Sequence, residues 1–442
     1  MTLTLFGHPV WLLAFAALGV VASAGAIVTL FFALGRRPQK FTTTATPPVD
    51  SRDFLLAVAG TVNAPLSHGG TARLLNNGVE IFPAMLEAIR GARHSINFMV
   101  YIWEPGRASD TFVDALCERA GAGVEVRVMF DAVGGFRTPR EVMRRLEEGG
   151  ARVVWFRRLA LGKVTRFYRR NHRRAIVIDG RVAFTGGAAV ADKWLGDAER
   201  DGHWRDMMVE VRGQLAAHMQ SAFAQLWTSV CGEVLAGDAF FPRDPDDGAA
   251  PPPHGGEVEV FRHVNVISSP ADESHPLRKV YWLSFRCARE RIWITSPYFV
   301  PDRETRRVIA ERARAGVDVR LLLPNHLTDA KPIRWASHSY FQELLSAGVR
   351  IYEYQTTMMH AKALVVDGVW SVIGSANMDI RSKELNQENV VGMLDRALGR
   401  QMEETFRADL EESVEIDPER WRRRGTLPRV LERFFVLFAE QY

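Results

Sequence analysis

Two histidines stand in the same chemical context at two places in this chain. His172-Arg173-Arg174 opens a run Ala175-Ile176-Val177-Ile178-Asp179-Gly180 that continues to Gly186-Gly187. His360-Ala361-Lys362 opens Ala363-Leu364-Val365-Val366-Asp367-Gly368, which continues to Gly374-Ser375-Ala376-Asn377. The copies align without a gap at a constant spacing of 188 residues, from 172 to 360 and from 186 to 374. A site built from both copies holds two imidazoles and two cations. That set suits a phosphodiester: a neutral imidazole attacks phosphorus, an imidazolium protonates the departing alkoxide, and the cations hold the non-bridging oxygens. With cations and positioned donors in those roles, no metal and no cofactor is expected.

The elements around these residues follow from their spacing. His172 and Arg174, like His360 and Lys362, are two apart, and alternate residues of a strand face one side. The apolar runs Ala175 to Ile178 and Ala363 to Val366 predict buried strands. Asp179-Gly180 and Asp367-Gly368 predict hairpin turns into second strands, Val182 to Phe184 and Trp370 to Ile373. On this reading the two aspartates shape turns rather than carry protons. Further matches extend the repeat: Ala122-Gly123-Val124-Glu125-Val126-Arg127-Val128 recurs as Ala315-Gly316-Val317-Asp318-Val319-Arg320-Leu321. Helical patterns at Thr111 to Ala120 and Glu304 to Ala315 alternate with these strands, so the expected fold is a duplicated α/β domain with pseudo-twofold symmetry.

These residues resemble the phospholipase D superfamily, whose signature is His-x-Lys-x4-Asp followed by Gly-Ser-x-Asn. The second copy matches at every position. The first departs twice, with Arg174 in place of Lys and Gly187-Ala188-Ala189 in place of Ser-x-Asn. Trp204-Arg205-Asp206 and Glu384-Leu385-Asn386-Gln387-Glu388 look like the cardiolipin synthase branch, and the likeness covers about residues 53 to 415. The resemblance implies a catalytic set of His172, His360, Arg174, Lys362, Asp179, Asp367, Asp206 and Glu388, with Asn377 and Ser375 binding the phosphoryl group. It implies His172 as nucleophile and His360 as acid and base, and the pseudo-symmetry leaves the reverse assignment open.

A catalytic imidazole needs an acceptor on its second nitrogen to set its tautomer. Glu388 lies 28 residues after His360 and Asp206 lies 34 after His172, each following its motif hairpin, and resemblance supports both as acceptors; the alternative is a surface or turn carboxylate. Arg174 keeps the charge of Lys and offers a fork to phosphate. Ala189 removes an amide donor, which can cost about 10² to 10³ in rate unless a backbone amide substitutes.

A chain of 442 residues accommodates two domains, here 53–236 and 258–415, joined by a Pro- and Gly-rich connector at 237–257 and followed by an amphipathic extension at 416–442. Residues 10–34 are uncharged and long enough to span a bilayer core of roughly 30 Å, giving a single-pass anchor; a signal peptide cleaved near Ala22-Ser23-Ala24 is the competing reading. Arg36, Arg37 and Lys40 follow the span and no cation precedes it, which puts the catalytic part on the cytoplasmic side of the cell membrane. Three scattered cysteines form neither a disulfide framework nor a metal-ligand pattern.

The net charge of +4 identifies no partner. Its distribution is more informative, because Arg157 to Arg174 carries many cations and no acid, forming either a solvated face or a funnel for anionic headgroups or nucleic acid. In the C-terminal extension, Val430, Leu431, Phe434, Phe435 and Phe438 fall at helical spacing, for packing on their own domain or for lying in a membrane interface. The expected partners are a phospholipid substrate and a membrane, not nucleic acid. The expected activity is phosphatidyl transfer in the manner of a cardiolipin synthase. A phospholipase D-type hydrolase or nuclease, and a degraded binding module, are the alternatives.

Overall fold

Strand alternation sorts the apolar residues of the repeat into layers. Ile176 and Ile178 face one core while Ala175 and Val177 face another, and Leu364 and Val366 are separated in the same way from Ala363 and Val365. Each half is thus a sheet buried on both faces. The computed structural model describes residues 40–158, 169–243, 262–269 and 274–438, with a few positions before residue 40. The expected span at 10–34 lies outside the described residues apart from four isolated positions, and so do the later part of the 237–257 connector and the middle of the Arg157 to Arg174 run. Among the described residues no helix is long and apolar enough to cross a membrane.

The first sheet has seven strands in the order Ala72–Asn76, Met207–Arg212, Val182–Gly186, Ala175–Ile178, Ser95–Val100, Glu125–Asp131, Arg152–Phe156. The second has nine: Ser413–Glu415, Arg350–Tyr354, Asp318–Pro324, Arg291–Thr295, Ala363–Val366, Trp370–Gly374, Glu388–Leu394, Arg262–Ser268, Leu66–His68. In both, the motif hairpin sits at the centre with an antiparallel neighbour on each side; the next two strands are parallel beyond one neighbour, and the next is antiparallel beyond the other. Residues 53–68, the expected start of the first domain, instead lie in the helix Arg52–Val62 and an edge strand that join the second half.

Two long helices that follow the motif sheets, Gln214–Cys231 and Arg396–Glu411, supply Phe223, Trp227, Met402 and Phe406 to the core between the halves. The other helices cover the outer faces. Asp179 and Asp367 have φ of 54° and 51°, followed by Gly180 and Gly368 at 65° and 67°, the paired positive angles that a two-residue hairpin turn requires. Each carboxylate also accepts three backbone N–H groups from the segment entering a central strand: Arg93, His94 and Ser95 on Asp179, and Arg289, Glu290 and Arg291 on Asp367.

Buried arginines tie the halves together. Arg173 donates to the carbonyls of Ala222 and Ser268 and to the Gln387 side chain, so it spans both sheets. Arg205 makes a two-pronged pair with Asp409 at 2.7 and 3.0 Å and also donates to Asn76, Asn77 and the Asp206 carbonyl. Arg205→Ala leaves Asp409 charged and unpaired in the core. The expected loss is about 3–5 kcal/mol of stability, to be read from denaturant unfolding of the full chain.

Candidate active site

The two motif strands meet through their flanking backbone rather than through the sheets. His172 N–H donates to the Gln387 carbonyl at 2.9 Å, and Gln387 N–H returns to the Arg170 carbonyl at 2.8 Å. The same exchange recurs between His360 N–H and Arg205 O at 2.7 Å, and between Arg205 N–H and Met358 O at 3.0 Å. Each histidine is therefore held beside the residue that precedes the other half's carboxylate. The side chains follow that register. His172 Nδ1 lies 2.9 Å from Glu388 Oε1, and His360 Nδ1 lies 2.7 Å from Asp206 Oδ2. Both expected acceptors are thus on imidazoles, and each serves the histidine of the opposite half.

The carboxylates differ in their other partners. Ser375 Oγ donates to Glu388 Oε2. Asp206 Oδ2 also accepts from the Trp194 indole at 2.7 Å, and its other oxygen accepts from the Met207 amide at 2.8 Å. The departure from Ser to Gly at 187 has a steric cause: a Cβ on Gly187 would come within 2.1 Å of Asp206 Oδ1. Trp194 donates in the first half where Ser375 donates in the second. Ala189 and Arg174 line one small cavity with Phe98, Ile176 and Val190, so the side chain lost at 189 borders the larger cation gained at 174.

All of these groups are buried. Burial, with the nearby Arg174 cation, lowers His172 to about 4 against the pull of Glu388, so at neutral pH it is an uncharged ring. Its Nδ1–H then points at Glu388, which leaves the Nε2 lone pair for chemistry. His360 is pushed well below the ordinary histidine range by burial and by Lys362 and Arg174. Burial raises Asp206 to about 6, opposed by Lys362, whereas for Glu388 the contacts with His172 and Ser375 outweigh burial and hold it low. Lys362 Nζ lies 3.2 Å from the His360 ring nitrogens. Arg174 Nε and Nη1 and Asn377 Oδ1 are buried without a hydrogen-bond partner. Such groups are costly in an apolar interior and gain from a phosphoryl oxygen or hydroxyl.

Aromatic rings close the site, and their roles were not apparent from the repeat. Tyr101 is edge-on to His172 at 4.8 Å, and Trp194 and Trp204 flank His360 at 5.3 and 5.0 Å. Tyr298 donates to Asp329 at 2.8 Å, near enough to Arg174 for their charges to interact. Only Trp204 lies in a segment that carries the family resemblance; Tyr101, Trp194 and Tyr298 come to the site through the tertiary fold.

A neutral imidazole over an ionised carboxylate, a second imidazole bonded to its own carboxylate, and two cations whose fields reach both rings are equipment for in-line displacement at phosphorus. The family model described as cardiolipin synthase, phospholipase D-like domain, matches residues 85–227 and 284–410. The chain belongs to that family. Cardiolipin synthase 2 of Bacillus anthracis is 34% identical over 368 residues, covering 83% of this chain and 70% of that protein. A probable cardiolipin synthase of Bacillus subtilis is 32% identical over 369 residues, with 83% and 71% covered. The crystal structure of a phosphatidylserine synthase of Haemophilus influenzae superimposes with a TM-score of 0.67 over 88% of this chain and 97% of that one; at 14% identity it bears on the fold alone. Within this cardiolipin synthase family match fall both histidines, both cations and both carboxylates.

Proposed function

We propose that this chain is a phosphatidyltransferase that moves the phosphatidyl group of phosphatidylglycerol or a related phospholipid to a hydroxyl of a second lipid, through a phosphohistidine. The observation that carries the reading is the crossed pair of imidazole–carboxylate bonds beside Arg174 and Lys362, in a chain of the cardiolipin synthase family. His172 Nε2 attacks phosphorus while Nδ1–H stays on Glu388. The bond from phosphorus to the headgroup oxygen breaks, and protonated His360 gives that oxygen its proton. In the second half the acceptor hydroxyl loses its proton to His360, its oxygen attacks phosphorus, and the P–N bond returns its electrons to His172. Lys362, Arg174 and Asn377 hold the non-bridging oxygens.

The division of labour between the histidines rests on their surroundings. Glu388 is ionised, which supports a more basic His172. Burial, with Lys362 and Arg174 beside the ring, holds His360 well below the ordinary histidine range, which makes it a strong acid once protonated. An arriving phosphodiester anion favours that protonation, because it offsets the cations that otherwise hold His360 neutral. Asp179 and Asp367, with their carboxylates committed to backbone N–H groups, serve the turn geometry. The segment 10–34 anchors the enzyme beside its substrates, with Arg36, Arg37 and Lys40 on the cytoplasmic side; its uncharged length and one-sided cations support this.

The test is product separation after incubating the full-length protein with vesicles of labelled phosphatidylglycerol. Cardiolipin plus glycerol is expected. Phosphatidic acid as the main product makes water the acceptor, and vesicle binding without turnover makes the chain a binding module.

The pH dependence supplies a second check. Burial, together with Arg174, lowers Lys362 to about 7, so its cation is present below that pH and lost above it. Bound anionic substrate favours the charged form and moves the transition upward. kcat/KM is expected to fall above about pH 7 while kcat holds to higher pH, and Lys362→Arg should remove that basic limb even if it lowers the rate. A limb unchanged in Lys362→Arg assigns it to another group.

A further inference from the structure

Each half places an exposed apolar element one residue away from the site. In the second half, the helix Thr426–Val436 lays Phe435 and Val436 against Tyr298, Val300, Ile333 and Ala336, and Tyr298 reaches Asp329 and the field of Arg174. Its other side carries Leu427, Val430 and Phe434, and with Leu437 just beyond the helix these are 52–69% exposed. At 427, 430, 434 and 437 they form one stripe along the axis. In the first half, the short turn Gly134–Arg137 packs Gly134 against Tyr101, the ring that meets His172, and presents Phe136 at 74% exposure. Exposed arginines surround both elements: Arg420, Arg422, Arg423, Arg429 and Arg433 near the helix, and Arg137 and Arg140 beside Phe136.

The geometry points to a two-point lipid seat, in which the apolar stripe of Thr426–Val436 and the Phe136 turn both enter the surface of an anionic bilayer, with the catalytic cleft facing it. Large apolar side chains left in water beside a catalytic cleft, ringed by cations, match an acyl-chain region under a layer of phosphate headgroups. A protein partner would find the same stripe, but not a reason for a second apolar point, Phe136, beside the other tyrosine that lies near Arg174. The seat rests on the proposed phospholipid chemistry and gives it an orientation: the headgroup phosphate enters between Tyr101 and Tyr298 without the lipid leaving its leaflet.

The test uses the full chain in vesicles of phosphatidylcholine and phosphatidylglycerol, with single thiols for an environment-sensitive dye. Cys231 is exposed and Cys117 partly so, while Cys287 is buried, so Val430→Cys and Phe136→Cys are each made in a Cys117→Ala, Cys231→Ser background. Val234→Cys serves as control, since neighbouring Glu233 pairs with Arg127 and Arg152 in the strands whose other ends lead to the site. Dye at 430 and at 136 is expected to shift to shorter wavelength and to be quenched severalfold by lipids spin-labelled in the acyl chain. Dye at 234 should be quenched only by aqueous iodide. Emission at either test position that behaves like the control overturns the seat, and so does shielding from iodide without quenching by lipid, which assigns the face to protein. The dye reports lipid contact whether or not phosphatidyl transfer occurs, so the outcome is separate from that of the product assay.

Discussion

On a phosphatidyl donor with a good leaving group, such as a nitrophenyl ester, His360→Ala is expected to release one equivalent of nitrophenol and then stall. Such a leaving group needs no proton, so loss of the acid spares the first displacement. The second displacement still needs a base for the acceptor hydroxyl, and without His360 the phosphatidyl group stays on the enzyme. On phosphatidylglycerol itself both half-reactions need that proton, and turnover should fall by about 10² to 10⁴, the usual worth of a positioned acid or base. His172→Ala should show neither burst nor adduct on either substrate. Reversal of the two phenotypes exchanges the roles of the histidines, and unimpaired turnover in both removes the site.

Glu388→Gln and Asp206→Asn should divide the same way, and across the halves. Glu388 holds the Nδ1–H of His172 at 2.9 Å, so its amide replacement frees the ring to present the wrong tautomer. By analogy with the amide replacement of a triad aspartate, the nitrophenol burst should slow by up to about 10⁴. Asp206→Asn acts on His360, 2.7 Å away, and should leave that burst nearly intact while slowing breakdown of the adduct. If each carboxylate served the histidine of its own half, the two outcomes would be exchanged. Stopped-flow absorbance with each variant distinguishes them.

Much of this site can be read along the chain because its parts are local. The His-x-cation spacing, the alternating apolar residues and the Asp-Gly turns act within a few residues, and the structure returns them as hairpins with positive φ at Asp179 and Asp367. The crossing of the carboxylates is not local. It depends on backbone bonds between His172 and Gln387 and between His360 and Arg205, which join residues far apart in sequence. The departure at Gly187 has no local cause in the sequence; it makes room for the Asp206 carboxylate, which a Cβ there would meet. Residues 53–68 precede the first sheet in the chain, which makes them its expected start, yet their apolar face and edge strand complete the second sheet. Arg205 stands in a motif legible in the chain, but its pairing with Asp409 across the halves is a product of the fold.

The most direct test of a phosphohistidine on the path of transfer is its stereochemical course. Phosphatidylglycerol made chiral at phosphorus with oxygen isotopes or sulfur, turned over by the full-length protein, is expected to yield product with retained configuration, since two in-line displacements each invert the centre. Inversion would mean that the acceptor hydroxyl displaces the headgroup directly, with no phosphohistidine on His172 or His360.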